Sequence, residues 1–154
     1  MKFINSHKNV SLILEDTLLK KLTTIALKNY PNECGGFLIG YYSEDFMTAY
    51  ITDFVLPKQQ KSSSVLFERS IMGVQEIFQK FFSEKKHFYL GEWHTHPNGS
   101  SIYSHTDLKA MIEIADCESV NITNPILLIL GVDTNNISSL SFYLYNNKGL
   151  YKYE

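Results

Sequence analysis

Apolar and polar positions alternate along this chain with two periods, near two and near 3.6 residues, and the switches between them outline its elements. Val10 to Glu15 reads as a short strand. Asp16 or Thr17 is placed to cap a helix carrying Leu18, Leu19, Leu22, Ile25 and Ala26 on one face, and Pro31 ends it. Gly35 and Gly36 lead into an apolar strand from Phe37 to about Tyr42, and the β-branched, aromatic run Thr48 to Leu56 predicts its hairpin partner. Lys58 to Ser64 (KQQKSSS) is a polar loop, with a mobile flap as the functional alternative to a plain surface loop. Ile71, Val74, Ile77, Phe78, Phe81 and Phe82 then recur at helical spacing, a stripe that predicts core packing.

His87 to His94 is strand-like, and Leu108, Met111, Ile112 and Ala115 mark a third helix. Pro125 precedes a buried-looking strand, Ile126 to Val132. Ile137 to Tyr145 alternates, with Leu140, Phe142 and Leu144 on one face and Ser141, Tyr143 and Tyr145 on the other. Strands and helices interleave without a repeat or linker, so the expected class is α/β or α+β, one domain over residues 1–154 around a central mixed sheet. Tyrosines between Tyr143 and Tyr153 read as exposed and suit either an interface or ordinary strand faces.

Charge narrows the partners. A net charge of −2 offers no basic footprint for nucleic acid and no lysine patch for a membrane. Arg69 is the sole arginine, which disfavours bidentate phosphate clamps. The first residues lack an apolar signal core, and the longest apolar run, Ile126 to Leu130, is too short to span a bilayer, so a cytoplasmic protein is expected. Cys34 and Cys117 form no CxxC pair and read as core residues or bystanders in a reducing compartment.

The chemistry concentrates in "GEWHTHPNGSSIYSHTD", residues 91–107. His94 and His96, at i and i+2 on a strand, point to one face about 6.5 Å apart along it, so two imidazoles can converge on one ion. Pro97 marks the strand's end, Asn98 to Ser101 is turn chemistry, and a helix starting near Ser104 returns Asp107 in its first turn. Two histidines and a carboxylate are a common ligand set for catalytic zinc, the fourth position left to water. Ser104-x-x-Asp107 equally resembles a capping box, which needs no metal. The joint pattern is far rarer than either part.

"HTHPNGSSIYSHTD" matches the His-x-His-Pro, six residues, Ser-x-x-Asp signature, and "YPNECGGFLIG" (residues 30–40) looks like the glutamate-bearing segment, of the JAB/MPN/JAMM metallopeptidases; the sequence most resembles their small bacterial branch. The resemblance implies a cytidine-deaminase-like α/β/α fold and one Zn2+ per chain bound by His94, His96 and Asp107. It makes Glu33 the general base and acid and gives Ser104 a share of the oxyanion. The substrate it implies is a ubiquitin-like protein or its conjugate, and partners are ubiquitin-activating or ubiquitin-conjugating enzyme homologues from the same operon. Some such members belong to antiphage systems with a cGAS-like nucleotidyltransferase, and others process sulfur-carrier proteins. The chain departs from the eukaryotic pattern with Glu92 and Trp93 where an aromatic pair is usual.

Glu92 shares a face with both histidines and could serve as base or extra ligand. Spacing does not choose between Glu33 and Glu92; the resemblance chooses Glu33. His105, beside the motif serine, has no role in the pattern and is expected in solvent, and His7 and His87 carry no functional reading. The leading function is amide hydrolysis after a modifier's C-terminal tail, without a covalent intermediate, the tail lying along a sheet edge. Its rivals are a non-catalytic scaffold, whose relatives usually lack the ligands kept here, and small-molecule hydrolysis or deamination, though the zinc-deaminase signature is absent.

Overall fold

The computed structural model describes residues 1–57 and 66–154. The strands are β1 (Lys2–Asn5), β2 (Val10–Leu14), β3 (Gly35–Tyr42), β4 (Thr48–Val55), β5 (Phe88–Pro97), β6 (Ile126–Val132), β7 (Ile137–Asn146) and β8 (Gly149–Lys152). The helices are α1 (Asp16–Asn29), α2 (Leu66–Lys85) and α3 (His105–Asp116). The strands form one mixed sheet in the order β1-β2-β4-β3-β5-β6-β7-β8, with β2/β4 and β5/β6 parallel and the other pairs antiparallel.

Both faces are covered. α1 buries Leu18, Leu22 and Ala26 against Leu12, Leu38 and Leu128. On the opposite face α2 sets Val74, Phe78 and Phe81 against Phe37, Ile39 and Val55, and α3 sets Met111 and Ile114 against Leu127, Ile129 and Tyr143. The expected hairpin is formed by β3 and β4. Among the described residues no helix is long and apolar enough to cross a membrane.

Several expectations need correction. Asp16 and Thr17 do not cap α1: Glu15 is the N-cap, without a side-chain cap bond, and Asp16 is already helical with its carboxylate 3.3 Å from the amine of Met1. The α2 stripe is only partly core, since Ile77 and Phe82 are 38% and 54% exposed. The Ile71 side chain and the Lys58 to Ser64 flap lie outside the described residues. β7 is buried on both faces from Ser141 to Tyr145, because helices and the neighbouring loop cover both sides there.

Tyr143, Tyr145 and Tyr153 are therefore core residues rather than exposed interface tyrosines. β1 and β8 are short strands that the hydrophobic pattern did not outline. They bring the two edges of the sheet together: Ile4 and Glu154 exchange both backbone hydrogen bonds at 2.8 Å, and Asn5 Nδ2 donates to the Tyr151 and Lys152 carbonyls. β2 pairs only the Thr48–Ile51 half of β4 and β8 only the Tyr143–Asn146 part of β7.

Candidate metal centre

β5 lies in the middle of the sheet, and its alternation sorts side chains by face. Trp93 and Thr95 are buried on the α1 side, while Glu92, His94 and His96 point to the side that carries α3. Pro97 is the last residue of the strand, and the chain then turns through Asn98, at φ 56°, and Gly99. α3 starts over the same face and brings Asp107 to the histidines.

Three donor groups meet there. His94 Nε2 is 3.1 Å from His96 Nε2 and 3.0 Å from Asp107 Oδ1, and His96 Nε2 is 3.4 Å from Asp107 Oδ2. Ligands at about 2.0–2.1 Å from a tetrahedral ion stand about 3.3 Å from one another, so the spacing fits one metal ion. His94, His96 and Asp107 form the one such cluster among the described residues, with all three ligand atoms within 4.8 Å. His96 Nδ1 lies 2.9 Å from the Ser100 carbonyl; a proton on Nδ1 satisfies that contact and leaves the Nε2 lone pair facing the cluster.

The capping box is also present. The Ser104 backbone N–H and hydroxyl donate to Asp107 Oδ2 at 2.6 and 2.8 Å, and Asp107 N–H donates to Ser104 Oγ at 3.2 Å. Capping and converging on the histidines are not alternatives, because one carboxylate has lone pairs for both. Burial pushes the Asp107 carboxyl up, but hydrogen bonds from His94 and His96, the charge of His94 and the Ser104 N–H outweigh it, holding the group well below the usual carboxylate range. His96 is raised, first by its bond to Asp107 against the opposing effect of burial, then by the Ser100 carbonyl and the charges of Asp107 and Glu33.

Glu33 is exposed and stands two residues before β3. Thr95 N–H donates to the Cys34 carbonyl and Cys34 N–H to Thr95 Oγ1, both at 2.9 Å, binding that stretch to β5. Gly35 pairs with His94, and a Cβ there would strike the Trp93 carbonyl, so the bare glycine permits the close approach. Glu33 lies near enough to His96 for its charge to contribute to the raised imidazole. Tyr30 OH donates to Asn98 Oδ1 at 2.8 Å, joining the glutamate segment to the loop after the histidines.

Glu92 shares the face but not the cluster. It is half-buried, and burial raises its carboxyl to about 8. His105 is exposed. His87 bonds Thr52 Oγ1 at 2.9 Å and stacks on Tyr41, and His7 stacks on Tyr151, so both have packing partners away from the cluster. The Ser100 carbonyl that orients His96 had no sequence signal, since every residue carries a carbonyl.

The family described as prokaryotic homologs of the JAB domain matches residues 15–143. A CD-NTase/cGAS isopeptidase of Enterobacter hormaechei subsp. hoffmannii is 32% identical over 132 residues, spanning 85% of this chain and 73% of that protein. A Desulfitobacterium hafniense protein superposes with a TM-score of 0.62 at 16% identity, over 92% of this chain and 88% of that one. A JAB1/MPN domain protein from Archaeoglobus fulgidus does so with a TM-score of 0.51 at 17% identity, over 90% and 92%. The two structural likenesses bear on the fold, a mixed sheet between helices. With a family match over most of its length and that fold, the chain belongs to the prokaryotic JAB family.

Proposed function

We propose that this chain is a zinc-dependent isopeptidase or peptidase that hydrolyses the amide bond after the C-terminal tail of a ubiquitin-like modifier, freeing it from a target or trimming its precursor. The observation that carries the reading is the convergence of His94, His96 and the Asp107 carboxylate at the end of β5. The name of the Enterobacter relative supports the reaction class, and we extend it to a conjugate within a CD-NTase pathway of antiphage defence. The substrate is the modifier or its conjugate, and the partners are activating or conjugating enzyme homologues of the same operon. We read residues 1–154 as one catalytic domain acting in the cytoplasm.

His94, His96 and Asp107 would hold one Zn2+ per chain through neutral imidazole nitrogens and an ionised carboxylate. Zinc bound there supplies a Lewis acid that lowers the pKa of water and polarises the scissile carbonyl. Glu33, exposed and near enough for its charge to act on His96, takes the proton of the attacking water and passes it to the leaving amine. The Ser104 hydroxyl, which donates to Asp107 in the resting site, turns to the developing oxyanion. The water-derived oxygen ends on the modifier's new carboxylate, the proton on the amine, and no covalent intermediate forms.

Elemental mass spectrometry of the purified chain, dialysed against metal-free buffer, tests the ligand set. About one zinc per chain in the wild type and none in His96→Ala is the expected result. A wild type that folds but retains no zinc overturns the reading and favours a scaffold.

A further inference from the structure

The peptide joining Ser100 to Ser101 is held from both sides. Its carbonyl oxygen lies 2.9 Å from His96 Nδ1, and its N–H donates to Ser139 Oγ at 2.8 Å. In a trans peptide these two groups point in opposite directions within one plane, so fixing the N–H also fixes the carbonyl. The direction of the carbonyl facing His96 is thereby tied to a hydroxyl on β7.

The reach across the sheet depends on Gly131. His96 pairs with Gly131 and Gly131 with Ser139, so the three stand in a row over β5, β6 and β7. A Cβ at Gly131 would land on Ser139 Oγ and on the Gly99 carbonyl. The bare glycine leaves space for the 98–101 loop to fold back over the sheet and meet Ser139. Two further bonds hold Ser101: its hydroxyl lies 2.9 Å from Ser141 Oγ, and Tyr143 OH donates to its carbonyl at 2.9 Å. These grip the residue, whereas Ser139 grips the peptide unit that faces His96.

We propose that Ser139 is a positioning residue of the metal centre, its hydroxyl orienting the Ser100–Ser101 peptide so that His96 keeps its proton on Nδ1 and presents Nε2 to the metal. The inference rests on His96 being a ligand, as proposed above. It assigns Ser139 no contact with metal or substrate. A hydroxyl is required at position 139, rather than a side chain of a given size.

The test measures zinc affinity by chelator competition for the wild type, Ser139→Ala and Ser139→Thr, with solvent exchange of the His96 Nδ1–H followed by NMR in the zinc-loaded proteins. Ser139→Ala is expected to bind zinc about tenfold more weakly, the lower end for outer-shell partners of metal-ligating histidines, and to exchange that proton faster. Ser139→Thr, which keeps the hydroxyl, restores both. Wild-type affinity and exchange in Ser139→Ala overturn the inference while leaving the ligand set standing, as do equal losses in the alanine and threonine variants. A wild type without zinc affinity overturns the ligand reading, and this inference with it.

Discussion

The two ends of β5 differ in kind. Beyond its last residues the loop folds back and α3 returns Asp107 to His94 and His96, so titratable groups from two elements meet within 3.4 Å. At its start, Phe88 and Tyr89 border a cavity of about 620 Å3 lined also by Tyr42, Phe46, Val120 and Leu144, with Lys8 its only charged lining residue among the described residues. Among the described residues the roomy end has volume without a cluster of metal-ligating groups. The crowded end has donors held by a strand, a helix cap and a backbone carbonyl. A site for hydrolysis is marked by convergent polar groups on rigid elements, and volume alone does not mark one.

The comparison breaks first at Glu33. Glu33→Gln is expected to lower cleavage of an isopeptide conjugate of the modifier by about 10²- to 10⁴-fold, as loss of a general base does, with zinc still bound at wild-type stoichiometry. Cleavage at the wild-type rate would remove Glu33 from the proton path and reopen Glu92. Leu90, fully buried on β5 between the two ends, separates folding from chemistry. Leu90→Ala should cost about 2–5 kcal/mol in urea unfolding and leave zinc content unchanged; loss of zinc from the folded variant would show that the site depends on the shared core.

A smaller effect is expected at the cap. Ser104→Ala removes the hydroxyl from the α3 capping box and should lower the stability of the zinc-free protein by about 1 kcal/mol, read from urea midpoints. No change would mean that the Ser104 backbone N–H alone satisfies Asp107. The smallest effect belongs to the cavity end. Phe46, 73% exposed at the β3–β4 turn, should change stability by less than about 0.5 kcal/mol when replaced by Ala, with cleavage unaffected. A loss of cleavage there would turn the cavity into part of the substrate path and undo the contrast between the ends.

Much of the site was legible because its signals are local. The i, i+2 placement of His94 and His96 follows from the pleat, and Ser104-x-x-Asp107 follows from helix capping. The β3–β4 hairpin and the buried β6 were legible in the same way, from short runs of apolar and β-branched residues. β1 and β8 escaped because four residues are too few to show a period, although each pairs with its neighbour in the chain, β2 and β7. The exposure of Ile77 and Phe82 escaped because a helical stripe records which residues share a face, not how far the sheet beneath extends.

By itself the sequence determined that two imidazoles share a strand face and that an acid stands three residues after a helix-capping serine, since both depend on backbone geometry within a few residues. Tertiary structure alone decided that this acid reaches those imidazoles, that the charge of Glu33, some sixty residues earlier, acts on His96, and that Ser139 holds the peptide facing His96 Nδ1. The last two join segments far apart in the chain, and the first depends on how α3 packs on the sheet. Their distances are set by strand register and helix packing, which the hydrophobic pattern constrains only in aggregate.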